Sequence, residues 1–317
     1  MDKNEKIFVA GHNGMVGSAI LRELRHQGFD NIIVKTRSEL DLRDQVSTSS
    51  FFRNERPDYV FLAAATVGGI LANMNDQVRF LTENIQIECN VISSAYFQGV
   101  KKLLFLGSSC VYPKEAEQPI PESALLSGLL EPTNEGYAIA KIAGLKMCEY
   151  YNKQYGARFV SLMPCNLYGY YDNFDLESSH MLPALIRKFH EAKIDGSDTV
   201  TVWGTGSVYR ELLFVDDLAD ACVFVMNHYS DAEFLNVGYG EDFTIAEIAG
   251  FVKNIVGFDG SIVFDTTKPD GMFRKIIDSG KIRALGWKPK TSLIEGISLT
   301  YNWYSHNENN IARRQEH

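Results

Sequence analysis

The chain has 317 residues, of which 45% are hydrophobic and 22% are charged, and its formal net charge is −9. These values are ordinary for a globular enzyme, and the length allows one large core or two modest ones. The negative balance, with no basic run longer than two residues, argues against nucleic-acid binding. No window approaches 18 uninterrupted apolar residues, so no transmembrane helix is expected.

Apolar runs alternate with amphipathic stretches through the first half of the chain. Strands are predicted at 7–10, 32–34, 59–62, 103–106 and 159–162, and helices at 16–27, about 77–98 and about 137–155. This alternation implies right-handed βαβ units and therefore an α/β fold with a Rossmann-type, doubly wound parallel sheet.

The regular alternation of strands and helices ends at about Asn166, where segments become shorter and richer in Gly, Asp and Pro. Helices are predicted at 181–193, 244–256 and 293–305, and the chain is expected to return to the large sheet through 211–227. We therefore predict a smaller mixed α/β substrate-binding domain. The first domain would span 1–165 plus about 206–235, and the second 166–205 and 236–317.

A glycine-rich turn follows the first strand and opens the first helix. Glycines there let backbone N–H groups approach a pyrophosphate, and the helix N-terminus favours its charge. The spacing is G-x-x-G-x-x-G, and a turn without a ligand is the alternative. Its position favours a dinucleotide site made by Gly11, His12, Asn13, Gly14, Met15, Val16 and Gly17.

Arg37 follows the second predicted strand, where an acidic residue would bind the ribose diol of NAD. An arginine there accommodates a 2′-phosphate and favours NADP, although a solvated surface arginine is the alternative. Asp41 and Leu42 could border the adenine. The small side chains of Ala64 and Ala65, after the third strand, would let the backbone lie against the cofactor.

Tyr137 and Lys141 are four residues apart in a predicted helix, so they share one face. A neighbouring cation is expected to lower the pKa of the tyrosine toward a useful acid–base range. The pair alone is weak evidence, because this spacing is common on amphipathic helices. Ser108 ends the fourth strand, where its hydroxyl could donate to a substrate carbonyl beside Tyr137.

Together, the glycine turn, Ser108 and the Tyr137–Lys141 pair resemble the extended short-chain dehydrogenase/reductase superfamily. Longer motifs along the whole chain resemble the GDP-L-fucose synthase family within it. These motifs are Gly11-His12 with 14–19, Ala65 with Val67-Gly68-Gly69-Ile70, Leu106 to Pro113, Leu130 to Glu135, Tyr137 to Gly144, Asn166-Leu167-Tyr168-Gly169 and Lys268-Pro269-Asp270-Gly271.

The resemblance implies an NADPH-dependent enzyme that converts GDP-4-keto-6-deoxy-D-mannose to GDP-L-fucose. Such an enzyme epimerises C3 and C5, which the C4 ketone acidifies, and then reduces C4. The family's acid–base pair matches Cys110 and His180. From the residues alone, Cys110 could equally be a buried small hydrophobe and His180 a helix N-terminal residue.

The resemblance also assigns binding residues. It implies that NADP(H) contacts Leu106, Gly107, Lys141, Pro164, Cys165, Asn166, Leu167 and His180. Of these, residues 164–167 are expected to form a loop after the fifth strand. It implies that the GDP-sugar contacts Lys188, Trp203, Arg210 and Asp270, with core packing the alternative for Trp203. The arginine suits a diphosphate, because its fork of donors binds phosphate oxygens bidentately.

Five residues depart from the family pattern. Asn13 and Lys188 stand where arginines are common, and Gly136 stands where a proline is common and is expected to loosen the backbone beside Tyr137. Tyr170 and Tyr171 replace a common Pro-His in a region expected to face the sugar. These changes leave open a C4 reductase of another GDP-4-keto-6-deoxy sugar, such as a GDP-heptose of surface polysaccharide biosynthesis.

Two other classes are less well supported. A 4,6-dehydratase would have an acidic pair where this chain has Ser109-Cys110. A cofactor-sensing protein on the same fold typically lacks the Tyr/Lys pair, which this chain retains. The five cysteines form no C-x-x-C and leave an odd one over, which predicts reduced thiols in a cytoplasm and no bound metal. The long helices at 77–98 and 137–155 could form a homodimer interface.

Overall fold

The computed structural model describes residues 1–268 and 270–315. The strands are β1 (Ile7–Ala10), β2 (Ile32–Ile33), β3 (Tyr59–Leu62), β4 (Lys102–Leu106), β5 (Phe159–Pro164), β6 (Asn166–Tyr168), β7 (Thr199–Trp203), β8 (Tyr209–Phe214), β9 (Leu235–Val237), β10 (Asp242–Thr244), β11 (Ser261–Asp265) and β12 (Arg274–Lys275). The helices are α1 (Met15–His26), α2 (Gln45–Glu55), α3 (Ile70–Asn75), α4 (Gln77–Phe97), α5 (Glu135–Tyr155), α6 (Met181–Asp195), α7 (Val215–His228), α8 (Ile245–Val256), α9 (Gly280–Ala284) and α10 (Leu293–Gln315).

A six-stranded parallel sheet in the order β2-β1-β3-β4-β5-β9 forms the larger half of the molecule. The predicted α/β fold with a Rossmann-type sheet is therefore confirmed. The chain runs from β1 outward to β2 and then crosses back to β3, so the strand order reverses between β1 and β3. Open parallel sheets bind ligands at the carboxyl ends of their strands beside such a reversal.

The central strands are apolar without alternation, because helices cover both faces of the sheet. Every residue of β1, β4 and β5 is buried. On α1 the buried side chains include Ile20 and Leu24, which lie four residues apart on the face toward the sheet. Helices α4 and α5 pack side by side, with Gly136 close to Gln77 near their starts and Tyr96 4.9 Å from Tyr155 near their ends.

A second core lies under the smaller sheets, formed by residues of β6, α6, β7, β8, α8 and α10. Strand β8 is central there, with β10 and β12 on its two edges and β6 also paired to it. The expected return of the chain to the large sheet through 211–227 takes place in α7, whose residues pack in the first core, whereas β8 belongs to the smaller sheet. The strand that returns is β9, which has only three residues and is too short to give a periodic pattern.

The division into two domains with these bounds stays a prediction. Helix α7 and strand β9 belong to the first core, and so do Ile277, Ile282 and Trp287 from late in the chain. Pro269 of the predicted motif and residues 316–317 of the predicted second domain lie outside the described residues. All five cysteines are free thiols. Among the residues that the structure describes, no helix combines the length and the apolar character needed to cross a membrane.

Candidate functional site

The predicted dinucleotide turn lies at the point where the strand order reverses. Gly11 has a φ of +86°, and a Cβ on it would come 2.7 Å from the backbone of Ala64. A Cβ on Gly17 would come 2.1 Å from the carbonyl oxygen of Gly11, so both glycines are needed for the turn to close. Gly14 is exposed, and a Cβ on it would make only an ordinary contact, 3.5 Å from the Gly11 carbonyl oxygen.

Helix α1 begins directly after this turn and has no side-chain cap. Its first N–H groups are therefore available to an anion. Asn13 is exposed, Met15 and Val16 are partly buried, and His12 carries a buried ring nitrogen, Nδ1, without a partner among the described residues. An unpaired ring nitrogen and free helix N–H groups beside an exposed glycine turn fit a phosphate-bearing ligand.

Arg37 extends from the loop after β2 with 68% of its side chain exposed, and its guanidinium lies 3.8 Å from Glu83. Asp41 accepts a hydrogen bond of 2.6 Å from Arg43, which lowers the pKa of Asp41 to about 2. Arg43 also pairs with Glu83 on α4. Leu42 is buried, and its carbonyl oxygen accepts from the side chain of Asn90 at 2.9 Å.

The ends of β3 and β4 flank the crevice. Ala64 and Ala65 follow β3 and are partly buried. Gly107 follows β4, and a Cβ there would overlap the Met163 side chain at 2.3 Å. Leu106 is buried, and its carbonyl oxygen accepts a 3.1 Å hydrogen bond from Lys141 Nζ. This bond links the end of β4 to α5.

Ser108 is the N-cap of a short 3-10 helix at Ser109–Val111, and its Oγ accepts from the Cys110 backbone N–H at 3.3 Å. Cys110 is only 6% exposed. Burial raises the pKa of its thiol, while the charges of Lys275 and Lys141 oppose that rise. Ser108, Cys110 and Lys141 are thus brought together at the carboxyl end of β4.

Tyr137 and Lys141 share the face of α5 that turns toward this strand end. The Lys141 ammonium lies 5.7 Å from the centre of the Tyr137 ring. It also lies 3.1 Å from Oε1 of Glu88, and both charged side chains are almost fully buried.

The expected lowering of the Tyr137 pKa was wrong. Burial raises this pKa well above its usual value, and the charges of Cys110 and Glu88 raise it further. Burial is the larger cause, and Glu88, 3.1 Å from the lysine, also offsets part of the cation that was expected to stabilise the phenolate.

His180 is the N-cap residue of α6, its side chain is exposed, and it makes no capping hydrogen bond. The pKa of its imidazole is lowered, first by desolvation of the ring and then by the positive charge of Lys275. The positive charge of Lys275, on β12, lowers the pKa of both Cys110 and His180 relative to what burial alone would give. Sequence reasoning missed Lys275, because β12 has only two residues and gives no motif of its own.

Residues 164–167 were expected to form a loop, and this was wrong. Pro164 ends β5, and β6 begins at Asn166, so only Cys165 separates the two strands. The Cys165 backbone N–H donates to Val237 at 3.1 Å and the Asn166 side chain donates to Glu211 at 3.1 Å. The chain passes from the large sheet to the smaller one at this residue, with Leu167 next in β6.

The predicted sugar-binding residues gather around the smaller sheets. Trp203 is 52% exposed, which excludes the core-packing alternative, and the ammonium groups of Lys188 and Lys268 lie 5.5 and 5.2 Å from its ring centre. One terminal nitrogen of Arg210 donates to the carbonyl oxygens of Tyr209 and Met272 at 2.6 and 2.8 Å. The other donates to the carbonyl oxygen of Asp270 at 3.4 Å.

Burial lowers the pKa of both Arg210 and Lys188. Their charged forms are therefore poorly solvated, and an anionic ligand would compensate them. The carboxylate of Asp270 accepts from the Thr205 backbone N–H at 2.7 Å, which fixes the turn after β7.

Two departures from the family pattern have structural roles. Gly136 is buried, and a Cβ on it would come 2.9 Å from the carbonyl oxygen of Gln77, so it permits close approach of α5 to α4 and does not merely loosen the backbone. Tyr170 packs on Phe214 at 5.5 Å, and Tyr171 lies 5.0 Å from Trp303 of α10. These contacts are with packing residues and not with the candidate sugar-binding side chains.

The family model for the NAD dependent epimerase/dehydratase family matches residues 7–238. The chain is 60% identical to GDP-L-fucose synthase 1 of Arabidopsis thaliana over 96% of this chain and 95% of that protein. A GDP-6-OMe-4-keto-L-xylo-heptose reductase from C. jejuni superposes with a TM-score of 0.92 at 40% identity, covering 97% of this chain and 99% of that one. A GDP-L-fucose synthetase from Naegleria fowleri, bound to NADP, gives a TM-score of 0.90 at 28% identity, covering 98% and 96%.

Proposed function

We propose that this chain, which belongs to the NAD dependent epimerase/dehydratase family and within it to the GDP-L-fucose synthases, converts GDP-4-keto-6-deoxy-D-mannose to GDP-L-fucose. The observation that carries the proposal is the grouping of Ser108, Cys110, Tyr137 and Lys141 at the carboxyl end of β4. These groups supply a hydroxyl donor, a thiol, a phenol and a cation at one point.

NADP(H) is the cofactor of this reaction, and NADPH supplies the hydride that reduces C4. The turn at 11–17 would hold its pyrophosphate, because Gly14 is exposed, the N-terminus of α1 has no side-chain cap, and His12 Nδ1 has no partner among the described residues. Arg37 would pair with the 2′-phosphate, since two thirds of its side chain is exposed. With Asn13 in place of an arginine, the preference for NADPH over NADH would be weaker.

The reduction depends on Tyr137 as the proton donor to the C4 oxygen. Because burial keeps its pKa high, Tyr137 retains its proton until negative charge develops on the substrate oxygen beside it. Ser108 donates a hydrogen bond to the same oxygen, and the Lys141 cation stabilises the charge as it forms.

Epimerisation at C3 and C5 requires one group that accepts a proton and another that donates one. The pKa directions leave Cys110 a thiol and His180 a neutral imidazole before substrate binds. This pair therefore holds one donor and one acceptor. Lys275 stabilises the thiolate whenever Cys110 gives up its proton.

The GDP-sugar would lie across the smaller sheets. Arg210 and Lys188, both poorly solvated, would receive the negative charge of the diphosphate, and the exposed face of Trp203 would pack on a ring of the ligand. The alternative substrate, a GDP-4-keto-6-deoxy heptose, differs by a longer exocyclic group and would use the same diphosphate contacts.

The decisive comparison is the consumption of NADPH with each of the two keto-sugars. We expect kcat/KM for the hexose to exceed that for the heptose at least about tenfold, since a few unfavourable contacts to an extra carbon cost this much. The reverse preference would replace the proposal with the heptose reductase. No NADPH consumption with either sugar would favour a cofactor-sensing protein.

We also infer a cytoplasmic homodimer that serves polysaccharide biosynthesis. Free thiols at all five cysteines support the compartment. Large apolar side chains exposed on α4 and α5 support the dimer, namely Val78, Phe97, Ile139 and Tyr155. Sedimentation at micromolar concentration tests the dimer, and a monomer there would contradict it.

A further inference from the structure

Glu88 is a carboxylate in the middle of α4, and only 1% of its side chain is exposed. Its neighbours on the same buried face are Ile87, Val91 and Ile92. A carboxylate is almost never buried so completely without a cation beside it. The cation here is Lys141 of α5, whose Nζ is 3.1 Å from Oε1 of Glu88.

The surroundings of this ion pair are shaped to admit it. Gly144 lies one turn after Lys141, and a Cβ on it would come 2.6 Å from Oε2 of Glu88 and 2.6 Å from the Phe105 ring. The Lys141 ammonium lies 4.9 Å from the centre of that ring. The glycine therefore provides the space for the carboxylate, and the ring excludes water from the pair.

The Glu88 carboxylate interacts with the Lys141 ammonium and with the Gly144 backbone, and neither of its oxygens has a well-aligned hydrogen bond among the described residues. The carboxylate is held by charge attraction to one ammonium, which itself donates to the Leu106 carbonyl oxygen at 3.1 Å. A buried carboxylate with unused acceptor capacity is costly, so a structural role alone explains it poorly.

We infer that Glu88 is a positioning residue for the Tyr137–Lys141 pair. Its carboxylate holds the Lys141 ammonium at the end of β4 and offsets part of its charge, so that Tyr137 keeps its proton until the substrate oxygen takes it. This inference rests on the proposed reduction and adds to it a third group, contributed by a different helix.

The charges around the pair agree with this role. The groups that interact with Glu88 or Tyr137 are Lys141 on α5, Cys89 on α4, Cys148 on α5 and Cys110 after β4. Burial raises the pKa of Glu88 to about 7, with Lys141 opposing the rise. The negative charge of Glu88 in turn raises the pKa of Tyr137.

The test is Glu88→Gln, which keeps the shape and removes the charge. Without the carboxylate, the Tyr137 proton is held less firmly. The fall of kcat at high pH should therefore begin about one pH unit or more lower than in the wild type. We expect kcat to fall about tenfold or more and KM for the keto-sugar to change less than about twofold, because Glu88 is buried behind the lysine.

Two further variants keep the result interpretable. Glu88→Asp retains the charge and should restore the wild-type pH profile, even if kcat is lower. Asp217→Asn removes another buried carboxylate, one that accepts from the backbone of Lys290 and Thr291, and should leave the profile unchanged. If Glu88→Gln does not fold, a Glu88→Asp profile that starts to fall at lower pH overturns the inference, and an unchanged one supports it.

A second readout needs no substrate. The ultraviolet absorbance of tyrosinate, taken as the difference between an enzyme and its Tyr137→Phe derivative, reports the titration of this tyrosine alone. In the Glu88→Gln background the phenolate should form at lower pH than in the wild-type background. Equal titration would overturn the inference even if the proposed function holds. A shift in titration without turnover of any keto-sugar would instead reject the proposed function alone.

Discussion

Lys141 Nζ donates a 3.1 Å hydrogen bond to the carbonyl oxygen of Leu106. The bond joins the helix that carries Tyr137 to the strand end that carries Ser108 and Cys110. Since Lys141 and Leu106 are both buried, the bond is shielded from water. The geometry of the two segments is therefore fixed before any ligand arrives. The lysine therefore both fixes the positions of these groups and places a positive charge beside them.

Tyr137→Phe should separate the two halves of the reaction. Removal of the phenol takes away the proton donor to the C4 oxygen, so reduction should slow at least about 100-fold. Exchange of solvent deuterium at C3 and C5 should persist, because it depends on Cys110 and His180. NADPH consumption and deuterium incorporation measure the two halves. The control is Tyr150→Phe, an exposed tyrosine of the same helix, and wild-type reduction by the Tyr137 variant would refute the assigned role.

Cys110→Ser should have the opposite effect. A hydroxyl holds its proton far more tightly than a thiol, so deuterium incorporation at C3 and C5 should fall about 100-fold or more. Reduction of a keto-sugar already inverted at both carbons should continue. Cys222→Ser alters a fully buried cysteine of the first core and controls for the loss of a thiol. Undiminished incorporation in the Cys110 variant would leave this thiol without a part in epimerisation.

Arg37→Ala should reduce the preference for NADPH over NADH. The exposed guanidinium is the charge offered to a 2′-phosphate after β2, and its loss should shrink the ratio of the two kcat/KM values about tenfold. Arg53→Ala on α2, another exposed arginine, should leave the ratio unchanged. If the ratio survives in Arg37→Ala, the phosphate is recognised elsewhere.

Gly17→Ala should destabilise the protein. The added methyl would lie 2.1 Å from the Gly11 carbonyl oxygen, so the turn and α1 must separate, at a cost of about 1–3 kcal/mol in the free energy of unfolding. Gly250→Ala in α8 meets no atom within 4 Å and should stabilise by up to about 1 kcal/mol. Denaturant unfolding measures both changes. Equal stability of the two variants would mean that the close approach at Gly17 is relieved at little cost.

Long periodic elements could be predicted from the sequence, because burial imposes a repeat on many residues at once. The prediction of β1 at Ile7–Ala10 is confirmed to the residue, and the helix about Tyr137 is confirmed within two residues at its start. Short strands could not be predicted, since β9 and β12 are fixed by their partners and carry no repeat of their own.

The candidate residues of the crevice were predicted from residue type, spacing and family resemblance, whereas the electrostatics around them could not be predicted. Tyr137 and Lys141 are neighbours in sequence, whereas Glu88 is brought to them only by the packing of α4 on α5. One signal was available, because Glu88 interrupts the apolar face that Ile87, Val91 and Ile92 define. A charged residue on such a face predicts a buried partner, but not which one.

The most direct measurement is the conversion of GDP-4-keto-6-deoxy-D-mannose with NADPH in deuterium oxide, followed by nuclear magnetic resonance of the product. The account predicts GDP-L-fucose with solvent deuterium at both C3 and C5 and with C4 reduced. A product reduced at C4 that retains the original hydrogens at C3 and C5 would contradict it.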